Sequence, residues 1–149
     1  MDGIRSSYTN MRYLIAILAL AGVVVSALAL RVHYDTGTEP CSINAHWDCG
    51  VVNHSSFAEV AHVPVAILGI LGYLALGALG FYRKPYLYLL VVLAGLAFAL
   101  RLSLIEDLVL GVWCLYCVIS QGIIAIMALI GLGWFSREYW KLRQQAKAQ

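Results

Sequence analysis

Four stretches of this chain contain no Asp, Glu, Lys or Arg: Tyr13–Leu30, Val63–Tyr82, Pro85–Leu100 and Leu108–Ser136. A helix crossing a bilayer needs about 20 mostly apolar residues, because lipid offers no partner to an unpaired backbone amide. The first run is bracketed by Arg12 and Arg31, and the second ends at Arg83 and Lys84. The third is short and reaches spanning length if Arg101 is included and the helix continues to Ile105. The fourth is too long for one span and reads as a short outer return followed by a helix from Trp113 to Phe135. Composition agrees: 62% of residues are hydrophobic and 12% charged, against about 25% charged in a soluble domain. A soluble enzyme and a disordered chain are excluded. Ten Lys+Arg against eight Asp+Glu leave no basic patch for nucleic acid. The expected fold class is an all-α integral membrane protein, a single domain over residues 1–149. It is a four-transmembrane-helix bundle with helices over about 12–32, 63–82, 85–105 and 113–135. A cleavable signal peptide has a shorter apolar core and a small-residue cleavage site, whereas the first run is followed by Arg31-Val-His-Tyr34. It is read as a retained span.

Orientation follows from the excess of Lys and Arg on the cytoplasmic side of membrane proteins. Arg5, Arg12, Arg83, Lys84, Arg137, Lys141, Arg143 and Lys147 fall on one side of a four-span bundle. The opposite side carries Arg31 with Asp35, Glu39, Asp48 and Glu59, and the turn after the third helix adds Glu106 and Asp107. Both termini, including a tail over 137–149, are therefore expected in the cytoplasm, and the outer loop over 33–62 outside it. A bacterial inner (plasma) membrane with a periplasmic loop is the expected location; the ER lumen is the topological equivalent.

That loop is long for a helical bundle, and long ordered loops tend to carry function. It holds Cys41, Cys49 and all four histidines, His33, His46, His54 and His62. Ser56-Phe-Ala-Glu59 matches a capping box, in which Ser and a Glu three residues on satisfy each other's backbone amides. A short lid helix over Phe57–Ala61 is expected from it. Asn53-His-Ser55 matches a glycosylation sequon, a short pattern that arises often by chance. Cys114-Leu-Tyr-Cys117 opens the last helix at the same membrane level. Its position near a helix N-terminus favours thiolate. Two cysteine pairs thus arrive at one face from opposite ends of the chain.

The arrangement resembles the vitamin K epoxide reductase family, which has four membrane helices, a loop cysteine pair separated by seven residues and a CxxC at the start of the last helix. Here the loop pair is Cys41-Ser-Ile-Asn-Ala-His-Trp-Asp-Cys49, and Ser55 stands six residues after Cys49, where the family has a site serine. Val63-Pro-Val-Ala-Ile-Leu-Gly69 is similar to the start of the second helix in bacterial members. The likeness spans about Arg12 to Phe135. In the family of the bacterial disulfide-bond formation protein B, the two cysteine pairs come in the reverse order.

The resemblance implies a membrane thiol:quinone oxidoreductase that supports disulfide-bond formation. A reduced thioredoxin-fold partner, periplasmic or lumenal, would open a Cys41–Cys49 disulfide at Cys41. Cys49 would then attack Cys114, and Cys117 would be left as thiolate beside a quinone (ubiquinone, menaquinone or vitamin K) drawn from the lipid bilayer. Ser55 would hydrogen-bond near the quinone or Cys117. Eukaryotic members carry a tyrosine four residues after the last cysteine, where this chain has Gln121. That departure weakens the inference of epoxide reduction and leaves plain quinone reduction untouched. Many bacterial members carry a fused thioredoxin-like domain after the fourth helix; the sequence stops at Gln149, so a separate partner is expected.

Other residues carry rival readings. Gln121 lies one turn below Cys117, positioned for quinone contact or an interhelical hydrogen bond. Phe57 and Trp47 are candidates to close an apolar pocket. Arg101 is expected to snorkel or to pair with Glu106 or Asp107. Trp47, Trp113 and Trp134 read as interfacial anchors, the histidines as solvated or interfacial, and Gly69, Gly72, Gly77 and Gly80 as a close-packing face. The alternative function is a membrane Cys/His metal-binding or transport protein using Cys41, His46, Cys49 and His54, all acceptable zinc ligand types. Their spacing is looser than in structural zinc sites and leaves the CxxC idle, so no metal is expected. A structural four-helix protein with two fixed disulfides is the third reading.

Overall fold

The computed structural model describes residues 2–35, 41, 43–44 and 46–147, with side chains from Asn10 onward. In chain order it comprises α1 (Asp2–Tyr34), α2 (Cys49–Asn53), β1 (Glu59–Val60), β2 (Val63–Pro64), α3 (Val65–Phe81), α4 (Pro85–Ile105) and α5 (Leu115–Lys147). A 3-10 turn over Ser56–Ala58 precedes β1, and a π-helical turn over Glu106–Leu110 prolongs α4. Asn10–Tyr34, Pro85–Leu110 and Leu115–Lys147 are long and apolar enough to cross a membrane. The fourth apolar helix, α3, has 17 residues. Glu39 lies outside the described residues.

Helix and apolar run do not end together. The first and last helices overrun the expected 12–32 and 113–135 because charge ends a membrane run but not a helix. Arg, Glu, Lys, Leu, Gln and Ala, which supply all of Arg137–Lys147 but Tyr139 and Trp140, are good helix formers, and Lys141 Nζ lies 3.5 Å from Glu138 one turn back. The supposed tail from 137 is therefore helical to Lys147. α4 covers Pro85–Ile105, as expected, with Pro85 in its first turn, where the missing amide costs nothing. α3 begins two residues late because Val63 and Pro64 pair with Val60 and Glu59 in an antiparallel hairpin. The expected lid helix over Phe57–Ala61 is absent as such. Ser56 does not cap; Ser55 takes the N-cap position without a side-chain cap bond, and Glu59 is in β1.

The bundle packs α1 against α3 and α5, and α4 against α5. Small residues let the backbones approach. A methyl group on Gly80 would lie 2.7 Å from Ile15 Cγ2, and one on Gly131 would lie 2.9 Å from Tyr88 Cε1. Gly69 and Gly77 likewise face Ser26 and Ala19. Gly72 departs from the expected packing face, with no atom within 4 Å of the place a Cβ would take. Tyr88, Val92, Met127 and Trp134 fill the inner part of the core. Trp134 is thus a core residue against Tyr88, with ring centroids 5.9 Å apart, rather than an interfacial anchor. Outside, Leu20, Leu90 and Leu129 are 66%, 67% and 69% exposed, an apolar surface of the kind lipid covers.

Candidate active site

The two cysteine pairs meet because the segments ahead of them are laced together. Trp113 N donates to His46 O at 2.8 Å, and Asp48 N donates to Trp113 O at 3.1 Å. Ile43 N donates to Trp47 O at 3.0 Å within the loop itself. The Trp47 and Trp113 backbones are thereby paired in a bridge, which delays the start of α5 to Leu115. Asp48 then caps α2, its Oδ1 accepting from Val51 N at 3.1 Å.

Cys49, the first residue of α2, is disulfide-bonded to Cys41, with Cα atoms 5.7 Å apart. Cys114 Sγ lies 3.3 Å from Cys49 Sγ. Cys41, Cys49 and Cys114 are 1%, 0% and 0% exposed and form one buried cluster with Val32 and Val52. Among the described residues no three potential metal-ligating side chains converge, and the disulfide takes up two of the four ligands the metal reading requires.

Three residues that the sequence reading left without a role in the site surround this cluster. Asn53, one helical turn after Cys49, donates from its amide nitrogen to Cys49 O at 2.9 Å and to Cys114 Sγ at 3.5 Å. It is buried, so the apparent glycosylation sequon points inward. The i, i+4 spacing from Cys49 was the available signal. Glu106 is 2% exposed, and its Oε2 accepts the Cys114 amide at 3.1 Å. The Cys117 thiol interacts with the same carboxylate, yet Oε1 makes no hydrogen bond of ordinary geometry. An acid at the end of an apolar span is the signal that marks it. From sequence alone it reads as a side-marking charge or as a partner for Arg101. His33 is half-buried rather than solvated: its Nδ1 lies 2.6 Å from Asn53 O and its Nε2 3.4 Å from Glu59, joining the end of α1 to α2 and β1. His46, His54 and His62 are exposed, as expected.

Cys114 stands one residue ahead of α5. Its thiol is held below the ordinary range by hydrogen bonding from the Cys117 side chain, opposed by burial, and helped by the Cys117 backbone. The Glu106 charge opposes thiolate, and the Asn53 amide supports it. The sulfur nearest the disulfide is thus the one biased toward thiolate, which suits it as a leaving group in exchange.

Cys117, half-buried, faces a cavity of about 350 Å³ between α1, α3, α4 and α5, within the roughly 300–1,000 Å³ common for ligand pockets. Ser55, Phe57, Asn53 and Glu106 also line it, with Leu76 and Phe98 among its apolar walls. Gly72 borders this space, which accounts for its missing packing partner. Ser55 Oγ donates to Val52 O at 2.7 Å. Gln121 is not among the lining residues; it accepts a hydrogen bond from Ser103 Oγ on α4. Trp47 does not border the cavity either. Arg101 is exposed and forms no ion pair with Glu106 among the described residues, because that carboxylate faces the cysteines.

A disulfide, a thiol in contact with it, a second thiol and an apolar cavity form a continuous series. The family model described as "Vitamin K epoxide reductase family" matches residues 13–132. No curated protein matches the chain by sequence.

Proposed function

Because the chain belongs to the vitamin K epoxide reductase family, we propose that it is a membrane thiol:quinone oxidoreductase carrying electrons from a thioredoxin-fold partner to a quinone. The observation that carries this reading is the 3.3 Å approach of Cys114 Sγ to the Cys41–Cys49 disulfide, with Cys117 on the cavity wall. The state described has an oxidised loop pair and a free CxxC. That is the state expected once electrons have left the loop and before they reach quinone.

The cycle balances. A partner dithiolate attacks Cys41 and frees Cys49, and the partner's second thiol releases Cys41 while the partner becomes a disulfide. Cys49 attacks Cys114 of an oxidised CxxC, expelling Cys117; Cys41 then attacks Cys49, expelling Cys114 and restoring the loop disulfide. The CxxC dithiol gives two electrons and two protons to the quinone and closes its own disulfide. Each exchange passes through a mixed disulfide, and differences in potential set the direction. Cys41 is 1% exposed, so the first attack requires the cap to open around it.

In this reading the cavity accepts the quinone ring, with Ser55 and Phe57 beside it. Gln121 acts indirectly, by fixing α5 against α4. The fourth span is α3, whose 17 residues reach the lower end of the spanning range. The cap lies on the periplasmic side of a bacterial plasma membrane, opposite the basic ends. The 3-10 turn and hairpin over Ser56–Pro64 act as the lid in place of a helix. Disulfide formation in secreted proteins is the purpose such a relay serves in an oxidising compartment.

The test is anaerobic quinone reduction by purified protein with a dithiol donor, using Cys117→Ala as control. Turnover that disappears in the variant supports the relay and its terminal thiol. Folded, reduced protein inert toward several quinones overturns it.

A further inference from the structure

Reducing a quinone to a hydroquinone requires a proton on each oxygen as well as two electrons, and the cavity wall is mostly apolar, its polar side chains other than Glu106 being neutral Ser, Asn, Tyr and Cys. Glu106 is its one acidic lining residue, 2% exposed, with Oε2 fixed by the Cys114 amide and Oε1 without a hydrogen bond. A buried carboxylate oxygen without a partner is costly, and a position both buried and half-satisfied suits a group whose second oxygen exchanges a proton. The Cys117 thiol interacts with the same carboxylate. Cys114 and Cys117 are the titratable groups facing it, and no Lys, Arg or His among the described residues pairs with it.

We propose that Glu106 is a catalytic residue that receives the Cys117 proton and delivers it to a quinone oxygen. This inference rests on the quinone-reductase reading and names a group for its proton transfer. The balance closes within the site. As the Cys114–Cys117 bond forms, the two thiols lose two electrons and two protons. The electrons pass to the quinone, and the Cys117 proton goes through Glu106 to one quinone oxygen. A second proton, equivalent to that given up by Cys114, reaches the other oxygen from water at the outer face. The fixed Oε2 keeps the carboxylate from turning away, and its tie to the Cys114 backbone holds donor and dithiol in one register.

The experiment separates the two half-reactions in full-length Glu106→Gln, which retains an acceptor for the Cys114 amide but cannot relay a proton. Reduced protein is mixed with ubiquinone-1 or menadione, and the closing of Cys114–Cys117 is followed by quenched alkylation. Oxidised protein is mixed with a dithiol, and the opening of its disulfides is followed in the same way. The expected result is a loss of about 100-fold in the quinone half-reaction, the size of a missing general acid. Opening of the Cys41–Cys49 disulfide, which makes no hydrogen bond with Glu106 among the described residues, changes less than about twofold, KM for quinone is nearly unchanged, and Glu106→Asp recovers much of the loss. A solvent deuterium isotope effect on the quinone step is expected in wild type. Equal losses in both half-reactions overturn the proposal in favour of a structural role, as does a quinone step at the wild-type rate. Wild type inert to quinone overturns the underlying reading instead, which keeps the two failures apart.

Discussion

The inner part of the bundle and its cysteine-bearing end are built by different physics. Away from the cysteines, α1, α3, α4 and α5 touch through Gly80 against Ile15 and Gly131 against Tyr88, and few side-chain hydrogen bonds are needed. At the other end the buried cluster is small, and its order comes from a disulfide, backbone bridges between two loops and the side chains of Asn53, Glu106 and His33. Close packing resists rearrangement, while sulfur exchange requires atoms that trade partners. Under the proposed relay, the division would let sulfur bonds be remade at one end without unpacking the helices at the other.

The sharpest way to break this comparison is Cys114→Ser. Quinone turnover is expected to fall by about 1,000-fold or more, because members of one relay fail together. Thermal unfolding in detergent should stay close to wild type, and Cys41 and Cys49, reduced by the partner with no CxxC disulfide to pass electrons to, should accumulate as free thiols on quenched alkylation. Gly80→Leu reverses the pattern. Overpacking against Ile15 costs about 1–3 kcal/mol or more and lowers the melting temperature, while protein that remains folded keeps its exchange chemistry. A loss of exchange without a loss of stability contradicts the division.

Asn53→Ala probes the polar end more finely. Removing a donor that supports the Cys114 thiolate raises the pKa of that thiol. The rise of thiolate ultraviolet absorbance with pH should therefore move to higher pH, and exchange at neutral pH should slow several-fold. An unmoved titration would mean that the 3.5 Å contact contributes nothing. The smallest effect is expected at the hairpin turn, where Ala61 and His62 have φ of 52° and 64°. Side chains disfavour that region, so Ala61→Gly should stabilise the cap by about 0.5–1 kcal/mol. Urea titration of cap opening, read as the rate at which Cys41 is reduced, checks it.

What could be read from the sequence followed from solvent. Uncharged runs located the apolar helices, since side chains facing lipid are predominantly apolar; α4 was expected over about 85–105 and runs Pro85–Ile105, prolonged by the π-helical turn to Leu110. The two cysteine pairs were legible from spacing and position, and Ser55 and Phe57 do reach the cavity beside Cys117. Hydropathy could not say where a helix stops once it leaves the apolar layer, hence the overrun of α5 to Lys147. Nor could it foresee that Val63–Pro64 would form a strand in place of a helical turn.

By itself, then, the sequence determined how much of the chain is apolar helix, where its cysteines lie and which family it belongs to. Only the tertiary structure decided that Asn53 turns inward to Cys114, that Glu106 serves the CxxC and not Arg101, and that Gln121 meets Ser103 across two helices. Hydropathy is a property of single residues and survives in the linear code. The partner of a buried polar group is chosen by whichever donor or acceptor folding brings within about 3 Å, and that choice exists only once the helices have packed.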